Sequence, residues 1–569
     1  MFKKHPAGLY VLGLANTGER FGYYTMLAIL LLFLQAKFGF SAAVSGQIYA
    51  IFLAAVYFMP LLGGYVADKW SFSKCVVSGI FVMFLGYGLI AIPTPVGATS
   101  SLGVLLVGLF LVAIGTGLFK GNLQVMVGDL YKDPKYKAET DSGFSLFYMF
   151  INLGSMIAPF VATVMVNAAL HSAGLEFIPE MATLCNNFLE HGTDANEIIA
   201  LASTYDFSIG TDVEAFAYTY ISKLSIGYGL AFAVACASLV LSFLIYTFGR
   251  STYAHIVSDK DSKTAAAGQT EEVKELSPEQ TKQRVVALLL VFGVVVFFWM
   301  VFHQNGATMT EFAKSCTNTV STGFTRIGFN VWALLTIVVA VWAIFIFFQS
   351  AKKGKIISSI IFLLAAAGIA LFYVFTPGEV SGLQPQQYQQ FNPFYVVALT
   401  PVSLALFGWL ARKKKEPSAP RKIGYGMLMA GVAYLVMVFG SLSISGTQAA
   451  VSPNWLISTY LLLTFAELLL SPMGISFVAK VAPPKLKGSM MGGWFAATAV
   501  GNYLVSIPML LWGKIPVWTV WLILIGLCLT SAIFIFSIMK KLEAATSDEP
   551  VSAAEEVAEG GELAAEVEV

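Results

Sequence analysis

Runs of about 20 apolar residues, long enough to cross a bilayer as helices, recur along the whole of this chain. They lie near 8–35, 43–67, 73–93, 102–127, 143–168, 223–248, 285–311, 328–349, 356–376, 394–411, 423–443, 454–479, 487–512 and 516–540. A water-soluble fold has no means of burying so many. In hydrocarbon, by contrast, a helix satisfies every backbone polar group internally. Of 569 residues, 57% are hydrophobic and 12% charged, against about 25% charged in soluble domains. The chain reads as an all-α, many-span membrane protein. Met1-Phe2-Lys3-Lys4-His5 opens like a signal peptide. Polar residues from Asn16 onward then interrupt the apolar stretch, and no small-residue cleavage site stands out, so the first span reads as retained.

Charge sorts the loops into two sets. One set carries Lys3 and Lys4, Lys69 and Lys74, Lys132, Lys135 and Lys137, Arg250, Lys352, Lys353 and Lys355, Arg412 to Lys415, Lys485 and Lys487, and Lys540 and Lys541. The alternate set holds little more than Lys37, Lys223, Arg326 and Lys514. The bias of Lys and Arg toward cytoplasmic loops puts the first set, and both termini, in the cytoplasm. Residues 169–222 read as a long acidic outer loop folded as a small cap, 249–284 as a cytoplasmic linker, and the Ala/Glu-rich 542–569 as a disordered acidic tail. A net charge of +1 and the lack of a basic stripe give no reason to expect nucleic acid as a partner. No P-loop points to ATP. The five cysteines show no metal-ligand spacing, so neither a cofactor nor a metal is implied. Cys185 and Cys316 both fall in loops placed outside, where a disulfide and two separate thiols are both open.

Within the first span, Asn16, Glu19, Arg20, Tyr23 and Tyr24 follow the i, i+3, i+4, i+7, i+8 spacing of one helix face. A charge in the hydrocarbon layer costs about 2.5–3.5 kcal/mol on insertion scales, so such a stripe needs a bundle interior or a water-filled cavity. An internal ion pair and a functional site are both consistent with it. Other ionisable residues within spans are Lys120, His303, Glu311 and Glu467. Both signs occur, and in both halves of the chain. A cavity between two bundles would let them face a zwitterionic ligand, cations to its carboxylate and an anion to its ammonium. No nucleophile with a placed base is evident, so no enzyme is expected.

Six blocks carry a family resemblance. Glu19-Arg20-Phe21 with Tyr23-Tyr24 resembles the signature of the proton-coupled oligopeptide transporter family, a branch of the major facilitator superfamily. Gly63-Gly64-Tyr65-Val66-Ala67-Asp68-Lys69 is similar to the superfamily's loop between spans 2 and 3. Gly115 to Asn122, Phe147 to Gly154, Gln389 to Pro393 and Ala466 to Gly474 resemble further family blocks, in the family's order. The resemblance implies two six-helix bundles plus an extra two-helix hairpin. Residues 1–248 would form the first bundle, with 169–222 a periplasmic loop. Residues 285–541 would form the second, with the hairpin at about 328–376. A bacterial inner-membrane monomer is implied.

The resemblance also implies roles. Arg20 and Lys120 would hold a peptide's carboxylate; Asn152, Asn392 and Glu467 its ammonium and backbone; Tyr23, Tyr24, Tyr57, Trp299 and Trp494 the walls. For the aromatics, plain helix packing is the alternative. Proton coupling would rest on Glu19 and Glu467, with His303 as a further candidate. The chain departs from the family at three places. Asn16 stands where a second glutamate is usual, Leu27 where an arginine is frequent, and His303 where the seventh span carries an acid. The last two can pair as a gate in the family, and here both have changed together. The function expected is proton-driven uptake of di- and tripeptides by alternating access in the lipid bilayer. The alternatives are transport of other organic ions or drugs, an uncoupled peptide facilitator, or a non-transporting sensor.

Overall fold

Helix α1 (Ala7–Phe38) runs through the middle of the N-terminal half, with 83% of its apolar window buried inside the protein. That burial is why a span can carry Glu19 and Arg20. In a computed structural model, residues 5–94, 99–136, 140–207, 212–256, 277–444, 450–483 and 486–545 are described. The expected tail beyond 545, most of the linker, and Lys3, Lys4, Lys137 and Lys485 lie outside them. Among the described residues, 14 helices are long and apolar enough to span a membrane.

The N-terminal half continues with α2 (Ala42–Lys69), α3 (Phe72–Ala91), α4 (Thr99–Leu130) and α5 (Thr140–His171). The short helices α6 (Met181–His191) and α7 (Ala195–Thr204) follow, and α8 (Val213–Phe248) closes the half. Its hydrophobic core takes in buried residues from Leu9 to Tyr253 and is joined by Ala307, Val505 and Met509 of the other half. Small residues set the close crossings, as they do where lipid gives helices no hydrophobic reason to associate. A β-carbon on Gly63 of α2 would stand 2.1 Å from the Gly117 carbonyl oxygen of α4. One on Gly154 of α5 would stand 2.5 Å from the Thr17 carbonyl oxygen of α1.

The C-terminal half builds a second core. Its elements are α9 (Pro278–Phe302), α10 (Thr308–Ser315), α11 (Val331–Gln349), α12 (Lys352–Phe375), α13 (Phe391–Arg412), α14 (Ala419–Ser441), α15 (Asn454–Val481), α16 (Lys487–Leu504), α17 (Ser506–Leu511), α18 (Val517–Ser537) and α19 (Met539–Ala544). Helices α11 and α12 form the hairpin, and α12 is the most exposed of the described spans, 11% buried. A two-stranded antiparallel ribbon, β1 (Ser321–Thr322) with β2 (Glu379–Val380), closes the hairpin's base. Arg326 braces it by donating to the Tyr373 and Pro377 carbonyls, 2.8 Å each.

Several boundaries differ from those read in the sequence. The span expected over 223–248 starts ten residues earlier, where the Asp212 side chain caps α8 by accepting from the Ala215 N–H. Only α6, α7 and their flanks therefore form the cap. Cys185 on α6 and Cys316 are buried free thiols, so the disulfide is absent; burial pushes the Cys185 thiol up to about 12. Leu542, Glu543 and Ala544 belong to α19 rather than to the tail, because Glu543 pairs with Arg421 at 2.7 Å and accepts from Ser418.

Two spans read as continuous are broken. Between α9 and α10 the chain tightens into a 3-10 turn, His303–Gly306. Gln304 fills the break: its amide donates to the Met300 and Val505 carbonyls and its carbonyl accepts from Thr308. Between α16 and α17 the break falls at Val505. Pro508 explains it, since a proline cannot bond to, and clashes with, the carbonyl four residues earlier.

Candidate functional site

A cavity of about 230 Å³ lies between the two halves. Helix α1 contributes Asn16, Arg20, Tyr23 and Tyr24, spaced along one face. From α2 comes Tyr57, from α4 Lys120, from α5 Tyr148 and Asn152. The other half contributes Trp299 and His303, Asn392 of α13, Glu467 of α15 and Trp494 of α16. The close approach at Gly154 holds α5 against α1, so Asn152 and Arg20 share a wall.

The charges are arranged by sign. Arg20 and Lys120 stand on the N-terminal wall. Arg20 makes a two-point pair with Glu19, both contacts 2.5 Å, and its guanidinium lies 4.5 Å from the Tyr23 ring centre. Glu19 is fully buried and does not line the cavity. It sits one residue, about 100° of helix, away from Arg20, which separates the two side chains' faces. The Lys120 ammonium lies 4.3 Å from the Tyr57 ring centre. Among the described residues no carboxylate stands within ion-pair distance of it.

Glu467 stands on the C-terminal wall. It accepts from Asn392 at 3.0 Å and from Tyr148 at 3.2 Å. The Tyr148 contact crosses from one half to the other, 319 positions along the chain. Asn152 donates to the Tyr148 carbonyl one turn earlier. The aromatic wall is continuous, with Trp299 stacked on His303 at 5.0 Å and Tyr57 at 5.7 Å from the same imidazole.

Every residue expected to bind substrate lines this one cavity, and so does His303; Glu19 is set behind Arg20. The sequence reading missed Tyr148, although it precedes Asn152 by four, the spacing of a shared helix face. It also missed Gln124 and Asn305, which line the cavity without a motif to mark them.

On the face that holds the C-terminal end of α1, the halves are bolted together by amides. Gln35 of α1 donates to Glu311 of α10 at 2.6 Å and accepts from Lys314 at 2.6 Å. Gln389 donates to the Ala28 carbonyl at 3.2 Å, Gln386 to Thr163 at 3.2 Å, and Gln384 to Asn167. Gly46 of α2 is packed under Met509. The cavity is thus sealed from that face. The residue expected at this gate from the family pattern, at position 27, is leucine and lines the cavity instead.

Two packed helical halves around a midplane cavity with opposed charges define a secondary transporter of the major facilitator type. The sequence profile of the POT family (PTR2) matches residues 73–270 and 366–518, more than half of the chain, and the protein belongs to that family. Relatives include the uncharacterized transporter YclF of Bacillus subtilis, 29% identical over 90% of both chains. The peptide transporter YePEPT of Yersinia enterocolitica is 27% identical over 89% of this chain and 88% of its own. A crystal structure of a peptide transporter POT with sulfate superposes with a TM-score of 0.65, at 20% identity, over 95% of this chain and 96% of that one.

Proposed function

We propose that this chain takes up di- and tripeptides together with protons across the cell inner membrane, by alternating access, with both termini in the cytoplasm. The observation that carries the reading is the opposition of Arg20 and Lys120 on one wall of the cavity to Glu467 on the other. A zwitterion of peptide length supplies a carboxylate for the first pair and an ammonium for the second. Charge-assisted contacts in a desolvated site are the strong ones, and a substrate lacking either end leaves a buried charge unmatched.

Lys120, Arg20 and Glu467 come from a single chain, which supports a monomer as the working unit. Asn152 and Asn392 would read the ammonium and backbone, and Tyr23, Tyr24, Tyr57, Trp299 and Trp494 would form walls tolerant of many side chains. Glu19 and Glu467 would carry the proton in the main, with His303 as a secondary site. A peptide carboxylate arriving at Arg20 competes with Glu19 for the guanidinium and so favours protonation of Glu19. Relatives named as di-/tripeptide transporters, such as that of Lactococcus lactis, 26% identical over 88% of each chain, support the substrate class.

The test is uptake of a labelled dipeptide into proteoliposomes with and without an imposed pH gradient. Accumulation above equilibrium only with the gradient is expected. Equal uptake in both conditions would make the protein a facilitator, and none in either would remove peptides as substrates.

A further inference from the structure

Counted by charge, the cavity has partners for a zwitterion and for nothing more. Among the described residues, Glu467 is the one carboxylate that lines it. The cations are Arg20 and Lys120. Arg20 is held at two points by Glu19, which lies behind the wall. Lys120 has no carboxylate within ion-pair distance among the described residues. A peptide with neutral side chains brings one carboxylate to the cations and one ammonium to Glu467. Every charge then has an opposite. If Glu19 takes the proton, the N-terminal wall becomes more positive still. In neither state does a negative charge remain for a cation on the peptide's side chain.

A desolvated cation can also rest on an aromatic face, but the protein already uses the nearest ones. The Tyr57 ring carries the Lys120 ammonium at 4.3 Å, and the Tyr23 ring carries the Arg20 guanidinium at 4.5 Å. His303 is stacked on Trp299 at 5.0 Å. Trp494 packs against Gly474 and, edge-on, against Phe292. Position 303 thus adds a ring to this wall and no acid. Amide oxygens on the walls accept hydrogen bonds without cancelling a charge, and a buried charge is costly unless it is paired.

We propose that the cavity discriminates by side-chain charge, taking peptides whose side chains are neutral and rejecting those that carry a cation. Lys120 is the specificity-determining residue, since it repels a second cation and no second carboxylate offsets the repulsion. The inference rests on the peptide uptake proposed above. Ser471 marks where the discrimination can be relieved. It lies four residues after Glu467 on α15, on the same helix face, and lines the cavity. Its hydroxyl is buried and has no hydrogen-bond partner among the described residues. A carboxyl group there would give the C-terminal wall a second acid, neutral beside Glu467 until an arriving side-chain ammonium favours its ionised form.

The test is binding without a proton gradient. Labelled Ala-Ala, bound to the full-length protein in detergent at pH 7, is displaced by Ala-Lys or by Ala-Lys acetylated on its side-chain nitrogen. The acetylated peptide is the bulkier of the two and carries no side-chain charge. Ala-Lys is expected to be the weaker competitor by about 30-fold or more, the loss typical of an unmatched charge in a desolvated site. Ser471→Asp should narrow that gap by about tenfold, as should Lys120→Gln, which weakens both competitors but removes the repelling cation. Ser471→Asn, which adds no charge, should leave the gap as it is. Equal displacement by the two lysine peptides in the wild type overturns the proposal, and so does a gap that stays as wide in Ser471→Asp. If Ser471→Asp does not fold, a gap unchanged in Lys120→Gln overturns it instead. Ala-Ala that binds with no gap between the lysine peptides sinks the selectivity alone, whereas Ala-Ala that does not bind sinks the peptide reading and the selectivity with it.

Discussion

Removing either cation of the carboxylate clamp should weaken peptide binding similarly but should affect stability very differently. Lys120 rests on the Tyr57 ring and has no carboxylate partner among the described residues. Lys120→Ala therefore strands no opposite charge. Losing a charge-assisted contact in a desolvated site costs about 2–5 kcal/mol, which corresponds to roughly 30- to several-thousand-fold in affinity. Arg20→Ala removes the same kind of contact and also leaves Glu19, fully buried, without the partner it holds at two points. Breaking one side of a buried pair destabilises by about 3–5 kcal/mol. The double variant Glu19→Gln with Arg20→Ala removes the orphaned charge, so it should recover much of that stability and none of the affinity. Dipeptide affinity and thermal unfolding, measured on all three variants in one detergent, separate the two effects. Near-normal affinity in Lys120→Ala would refute the clamp. Arg20→Ala as stable as the double variant would refute the ion-pair reasoning.

Glu467→Gln should impair uptake of peptides with a free amino terminus far more than of acetylated ones; equal losses would remove the ammonium contact and leave Glu467 only a gate or proton role. Glu19→Gln should abolish pH-driven uptake yet keep some counterflow, and a variant that retains both would remove Glu19 from coupling. A Gln35→Cys, Glu311→Cys pair, at positions whose side-chain ends meet at 2.6 Å, should arrest transport when bridged by a short reducible bis-thiol cross-linker and resume it on reduction; unaffected transport in the cross-linked protein would show that this face does not open there. Burial alone would raise the Glu543 carboxyl, but hydrogen bonds from Ser418 and Arg421 hold it below the usual range. Its contribution is present above the unfolded carboxylate value and is lost as pH falls through the lower folded value. Exposure keeps it under about 1 kcal/mol, so Glu543→Ala should lower the unfolding temperature slightly at pH 7, by an amount that shrinks as the pH is taken down through the carboxylate range.

The spans, their number and the blocks that became one cavity wall were legible because each depends on neighbours in the chain. Hydropathy is a local sum, loop charge alternates with it, and four-residue spacing put Arg20 and Tyr24 on one face. Pro508 was a readable sign of the break at Val505. The break at His303 carries no proline, and its polar run His303-Gln304-Asn305-Gly306 reads equally well as a functional stretch of an unbroken helix; Gln304 satisfies the freed backbone by reaching the Val505 carbonyl of the other break. Tertiary structure alone decided which neighbour faces which. It set Glu19 behind Arg20 although the two are adjacent, joined Tyr148 to Glu467 across the halves, and put Gln35 rather than position 27 in the outer latch. It also kept Cys185 and Cys316 as separate buried thiols. Pairings of that kind are made between helices hundreds of residues apart. They depend on how close glycines such as Gly63 and Gly154 allow backbones to come, and no single stretch of sequence contains that distance.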